Sequence, residues 1–511
     1  MTVSVNGGDR HLGSVLSACG LINLLVLAML VPISYALAVV VPHGESQPNE
    51  RAVLAPAIRS VKIFIPDAAG VLKTYLSEDS PLATSAAARI LSFAVPIFIL
   101  TVTSLLAIIK IRRNFDSIDE HVVSLLFRFS MGFAAVSFFA YPIFTQDFWW
   151  YVSWARMLQD GRNPYYHIFG TEHRAGIPID DPSLLLMPYG PLWAVFATGL
   201  ASLARKSLVL EFALFKLTLT VSWAMSLLLI RKILGGFSPG RRAMAMCLFG
   251  WLPASTHLSI AEGHNDVVMV FFLLLWMYLI VRNQHALSPL ALASSALIKY
   301  ATAPLVGLEL IHAWSSGTLS RRKYLVTLFG SILFVGVVFF LFWRGSGFFA
   351  GVTQVRGERI HSPAHTLYAL AIRFKAGVPW WLALNLVRAG FLAVVLWYAV
   401  RYRQKPDFLH FATLTLAVLC MVLFSAGYVW PWYFIWILAP AAIAAHSGLL
   451  RFVFPVVILS PLISAPGLID VSRAFMVRSG IVFYALVCLG MLLMTRVRLI
   501  PTAPSEGPAG P

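Results

Sequence analysis

The chain has 511 residues, 59% of them hydrophobic and 12% charged, with a mean hydropathy of +0.78. That composition excludes a soluble globular domain. A net charge of +17 would suit a nucleic-acid binder, but the basic residues recur at the ends of apolar runs and form no patch.

The first run, Val15 to Val41, is too long for a cleaved signal peptide and lacks a clear small-residue cleavage site, so a retained span is expected. Spans follow at approximately 88–110, 122–143, 208–231, 242–259, 265–281, 286–300, 303–317, 324–343, 379–400, 408–426, 430–446, 451–466 and 479–496. They predict an all-α polytopic membrane protein of about 12–14 transmembrane helices. Residues 1–500 are read as a single transmembrane domain, and 501–511 as a disordered Pro/Gly-rich tail. Cys19, Cys247, Cys420 and Cys488 sit in or at apolar runs without ligand or disulfide spacing, as small buried hydrophobes would.

Two stretches resist a simple span. Pro188-Tyr-Gly-Pro191 to Ala204 is read as re-entrant or half-buried, because counting it as a span breaks the charge alternation. The stretch 286–317 is broken around Lys299 and Pro304. With those readings, seventeen basic residues fall on one side: Lys110, Arg112, Arg113, Arg231, Lys232, Arg241, Arg242, Arg282, Arg321, Arg322, Lys323, Arg401, Arg403, Lys405, Arg451, Arg496 and Arg498. The positive-inside rule makes that side cytoplasmic, with both termini.

The opposite face collects a different chemistry. Asp147 follows the third span within Gln146-Asp147-Phe-Trp-Trp-Tyr-Val-Ser-Trp-Ala-Arg-Met-Leu-Gln-Asp160-Gly161, an expected helix along the interface stopped by Gly161 and Asn163-Pro164, in a loop region spanning 144–188. His167, His173, Asp180 and Asp181 follow. Glu262 and His264-Asn265-Asp266 open the apolar run from Val267 to Val281. Asn and Asp are good helix starters and the helix dipole favours the acid, so capping alone is one reading. Ionisable groups at such a depth more often line a cavity or reaction site. Lys299, Arg356, Glu358, Arg359, His361 and Trp430-Pro-Trp432-Tyr433 share the predicted outer side. A carboxylate able to take a hydroxyl proton, with cations to hold a phosphate, suits glycosyl transfer from a lipid-linked phospho-sugar.

Taken in order, Asp147 with Trp154-Ala-Arg-Met-Leu-Gln-Asp-Gly-Arg-Asn-Pro-Tyr165, Pro188-Tyr189-Gly-Pro-Leu-Trp193, Gly263-His-Asn-Asp266, Ala296-Leu-Ile-Lys299 and Pro431-Trp-Tyr433 resemble motifs of the polyprenol-phosphate-mannose-dependent mannosyltransferases of the GT-C class. The resemblance covers roughly residues 120–450. It implies a GT-C helical bundle with an outward-facing site, Asp147 as the general base, and His264, Asn265 and Asp266 lining the sugar or acceptor pocket. Lys299 would meet the donor phosphate, and Trp432 and Tyr433 would stack on sugar. Tyr189, Glu262, Arg356 and His361 complete the expected substrate-binding set.

The resemblance also implies a polyprenyl-phosphate-hexose donor, mannose before other hexoses, and a glycan or glycolipid acceptor among membrane lipids. No cofactor, metal or nucleic acid is expected. The expected location is the bacterial plasma (inner) membrane. This chain departs from the family in placing the loop after its third span rather than its first. A polytopic transporter or lipid flippase stays open as an alternative, as does a GT-C enzyme using another sugar or lipid-linked donor; no internal repeat of the transporter kind is visible.

Overall fold

Apolar runs without water to satisfy their main chain can only coil, so each hydrogen bond closes within its own segment. The computed structural model describes residues 7–40, 86–145, 147–168, 170, 186–315, 321–356, 361–445, 447–461 and 473–497, all in helices and connecting segments. The outer loop Pro42–Thr84, His173, Asp180, Asp181, Glu358, Arg359 and the tail 501–511 lie outside the described residues.

Among the described residues, six helices are long and apolar enough to cross a bilayer: α1 (Gly7–Val40), α2 (Ala86–Arg113), α3 (Glu120–Phe138), α6 (Leu208–Ile233), α12 (Arg321–Phe340) and α15 (Trp380–Gln404). A seventh is assembled from α7 (Pro239–Gly250) and α8 (Pro253–Thr256), the latter continuing as a π turn over His257–Ala261; the two parts meet at a 57° bend. The remaining apolar runs form shorter helices, among them α9 (Asp266–Val281), α10 (Ser288–Ile298), α16 (Phe408–Phe424), α17 (Ile435–Ile443) and α18 (Leu450–Leu459). Hydropathy does not separate the two groups, because a helix wrapped in protein is as apolar as one facing lipid. α9 and α16 are largely wrapped, whereas α12 and α15 expose Phe329, Phe340, Trp381 and Trp397 along their lengths.

The basic ends do gather. Arg242 at the start of α7 pairs with Glu120 at the start of α3, and Gly240 lies against the Phe115 carbonyl in the turn after Arg113. At the other end of α3 the chain turns into α4 (Asp147–Gln159).

α4 is the helix expected along the interface, but it does not lie free there. Phe148, Trp149, Tyr151, Val152, Trp154, Ala155 and Met157 are all buried, and Arg156 makes a two-pronged contact with buried Glu211 of α6, at 2.6 and 3.2 Å. α5 (Pro191–Ala204) runs beside it: Tyr189, just before α5, meets Asp147, and Ser202 near its end meets Gln159. α6 starts at once after α5, and its far end carries Arg231 and Lys232. The 189–204 segment therefore stays beside α4 and does not cross to the basic end. The expected break after α10 is also present, with Lys299 extended, a 3₁₀ turn at Tyr300–Thr302, and α11 (Leu305–Ser315) beyond.

Candidate active site

Two glycines let the separated segments meet. Gly263 has φ +78°, where side chains are disfavoured, and a Cβ there would stand 2.7 Å from the Phe148 ring. This approach puts His264 beside the first turn of α4. Gly190 donates its N–H to the Ile298 carbonyl at 3.0 Å, and a Cβ on it would lie 2.0 Å from the Leu297 carbonyl oxygen. Tyr189 is thereby held against the end of α10, next to Lys299.

Asp147 is the first residue of α4, where the helix dipole favours an anion. Its Oδ2 accepts a 2.8 Å hydrogen bond from the Tyr189 hydroxyl and lies 3.4 Å from His264 Nδ1. Burial alone would raise the Asp147 carboxyl. His264, Lys299 and the Tyr189 hydroxyl outweigh it and hold the group below its ordinary value. Tyr189 is pushed the opposite way, well above the usual phenol, by burial and by the Asp147 charge.

Asn265 and Asp266 begin α9, yet the Asn265 side chain makes no capping bond. It accepts instead from the Tyr151 hydroxyl at 3.3 Å. Asp266 Oδ1 lies 2.8 Å from Lys299 Nζ and also accepts from the Trp436 indole N–H. Lys299 is caged by aromatic faces, 4.2 Å from the Tyr433 ring centre, 5.2 Å from Trp436 and 5.4 Å from Tyr189. Capping therefore does not account for what these side chains do.

The other expected residues fall less evenly. Trp432 is buried and stacks on two rings, with His264 at 4.0 Å and Trp430 at 5.1 Å. Trp430, half-buried, carries the stack outward and meets His361 edge-on at 6.4 Å. His361 is buried, and its proton affinity is driven down to about 4 by burial and by His365. Glu262 Oε2 accepts from the main-chain N–H of Ile143 and Phe144, at 3.0 and 2.8 Å, and its Oε1 is buried without a hydrogen-bond partner. Arg356 closes α13 (Ala350–Arg356), and its side chain lies outside the described residues.

Sequence reasoning missed Tyr151 and Trp436. Both sit in aromatic clusters that read as interfacial belts; the available signal was spacing, since Trp436 lies about one helical turn beyond Tyr433.

Polar atoms without a protein partner concentrate here: His264 Nε2, Asn265 Nδ2, Asp266 Oδ2 and Trp432 Nε1 are all buried and unbonded. Buried polar groups are normally satisfied, and these four are exceptions to that rule. Among the described residues no three His, Cys, Asp or Glu side chains are placed to hold a metal ion.

Acids, an imidazole and aromatic rings thus converge on one cluster within a helical bundle that carries membrane-span-capable helices. Residues 66–315 match the family described as alpha-(1->6)-mannopyranosyltransferase, N-terminal domain. The protein is thus a membrane glycosyltransferase carrying a mannosyltransferase domain, in agreement with the resemblance read from the motifs. No curated protein compared with the chain matches it. The matched segment contains Asp147, Tyr189, Glu262 to Asp266 and Lys299; the Trp430–Tyr433 wall lies beyond it.

Proposed function

We propose that the protein moves mannose from a polyprenyl-phosphate-mannose donor to a hydroxyl of a glycan or glycolipid acceptor, on the non-cytoplasmic face of a bacterial plasma membrane. The observation that carries this reading is the single carboxylate oxygen of Asp147 shared by the Tyr189 hydroxyl and the His264 imidazole.

In the proposed step Asp147 takes the proton from the acceptor hydroxyl. The acceptor oxygen bonds to the anomeric carbon as the bond from that carbon to the phosphate oxygen breaks. Polyprenyl phosphate leaves with the bonding pair, and Lys299 offsets the charge it gains. The unbonded nitrogens of His264 and Asn265 would accept or donate to sugar hydroxyls. A donor carrying a hydrocarbon tail fits a bundle whose α12 and α15 present apolar faces.

The test is transfer of labelled mannose from polyprenyl-phosphate-mannose to an alkyl α-mannoside by purified protein in detergent. Asp147→Asn keeps shape but removes basicity, and the rate is expected to fall on the order of 10²–10⁴-fold. Transfer at the parent rate by that variant would refute the reading. The step uses no metal, so EDTA is expected to leave the parent rate unchanged.

A further inference from the structure

Lys216 and Glu262 are charged, wholly buried and outside the pocket. Lys216 projects from α6 and gives its ammonium to three main-chain carbonyls: Ser137 in the last turn of α3 at 3.3 Å, Ile260 at 2.5 Å and Ala261 at 2.9 Å, at the end of the π turn. Helix ends leave such carbonyls without partners. An ammonium has three donors, and all three are used. Glu262, the next residue, reaches the opposite way to the N–H groups of Ile143 and Phe144. Thr145 follows, and its hydroxyl oxygen accepts from the Asp147 N–H at 3.0 Å.

The two side chains thus clamp one short stretch from both sides. Lys216 ties the end of α3 to the π turn, and Glu262 ties the chain that leaves α3 to the residue just before Gly263. Asp147 hangs from the first segment and His264 from the second. The Phe93 ring adds an apolar bridge at this level, 4.6 Å from Phe144 and 5.5 Å from His257 of the π turn, but the directional contacts are those of Lys216 and Glu262. A π turn inside a helix is frequently found beside functional groups.

We propose that Lys216 and Glu262 are positioning residues for mannosyl transfer, a buried charge pair that sets the separation of Asp147 from His264. This rests on Asp147 being the base. Glu262 acts here on the main chain, not on substrate.

The test compares Lys216→Met, Glu262→Ala and Glu262→Gln in the same transfer assay, with Tm measured for each. Misplacing a reacting group by an ångström can cost roughly 10²-fold. That loss in kcat is expected for Lys216→Met and Glu262→Ala, with the KM for donor within about threefold of the parent. Glu262→Gln keeps an oxygen for both amides and is expected within about tenfold of the parent.

The pH profile separates positioning from mere loss of folded protein. Asp147 faces His264, Lys299 and Tyr189, with Tyr151, Asp266 and Tyr433 behind them. Moving His264 away removes one support of the ionised carboxylate. The acid limb of kcat/KM should then move to higher pH in Lys216→Met, whereas partial unfolding lowers amplitude and leaves the limb in place. A folded Lys216→Met with the parent kcat, or with an unmoved limb, overturns the proposal.

Should Lys216→Met fail to fold, Lys216→Met/Glu262→Gln removes both charges and leaves no uncompensated ion. The same loss and the same pH shift are expected. Failure of both to fold would assign Lys216 to stability alone and also overturn the proposal. Parent activity in these variants, beside an inactive Asp147→Asn, sinks only the positioning role; an active Asp147→Asn sinks the base itself.

Discussion

Lys299 Nζ stands 2.8 Å from Asp266 Oδ1, and the same ammonium rests 4.2 Å above the Tyr433 ring. Lys299 ends α10 in an extended conformation and Asp266 opens α9, so the pair joins the negative end of one helix to the positive end of another. The ammonium is therefore held by its neighbours within the protein itself.

Removing that cation should cost rate and stability separately. Lys299→Met is expected to slow transfer roughly 10²–10³-fold, the scale of losing one stabiliser of a leaving-group charge. It also strands Asp266, which is wholly buried, at a cost of about 3–5 kcal/mol. Adding Asp266→Asn should recover Tm without recovering rate. Recovery of both would make the pair structural only.

Gly190→Ala tests how tightly Tyr189 is set. The new methyl would meet the Leu297 carbonyl oxygen at 2.0 Å, so the segment must move. Overpacking of this kind costs about 1–3 kcal/mol. Since the movement carries Tyr189 away from Asp147 and Lys299, transfer should fall at least tenfold even in protein that remains folded at the assay temperature. A Gly190→Ala protein with parent Tm and parent rate would show that this contact is not needed.

Acidity should act at two places with the same sign. Asp147 is held below the ordinary carboxylate value, so it stays ionised as pH falls to that value, and activity should be level from neutral pH down to about 4. His361 is driven down from 6.5 to about 4. The unfolded chain therefore binds its proton first, and stability is lost as pH falls from about 6.5 towards 4. Melting curves across that window should show the fall, and His361→Asn should flatten it. An unchanged slope in that variant would remove His361 as the cause.

Sidedness is testable without activity. His167 follows α4 and is exposed, and Gln284 lies beside Arg282 at a basic end. With Cys488 replaced by Ser, a cysteine at 167 should react with an impermeant maleimide in intact cells, and one at 284 only after permeabilisation. The reverse pattern would invert the topology and move the proposed reaction to the cytoplasm.

Much of this protein follows from local features of the chain. Apolar run length decided that it is helical and membrane-bound, and Pro or Gly punctuation decided that Tyr189, His264 and Lys299 lie where helices start or stop. Those properties depend on near neighbours, which any reading of the sequence sees. The count of crossing helices was less legible, since helices wrapped in protein, such as α9 and α16, are as apolar as those exposed along their lengths. Only the tertiary structure decided that Trp432 stacks on His264 and Trp430, that Trp436 reaches Asp266, and that Glu262 grips the main chain ahead of Asp147. Burial of apolar surface is non-directional and leaves such partners undetermined. Hydrogen bonds and ring stacking are directional, and they form only after Gly190 and Gly263 have let distant segments approach.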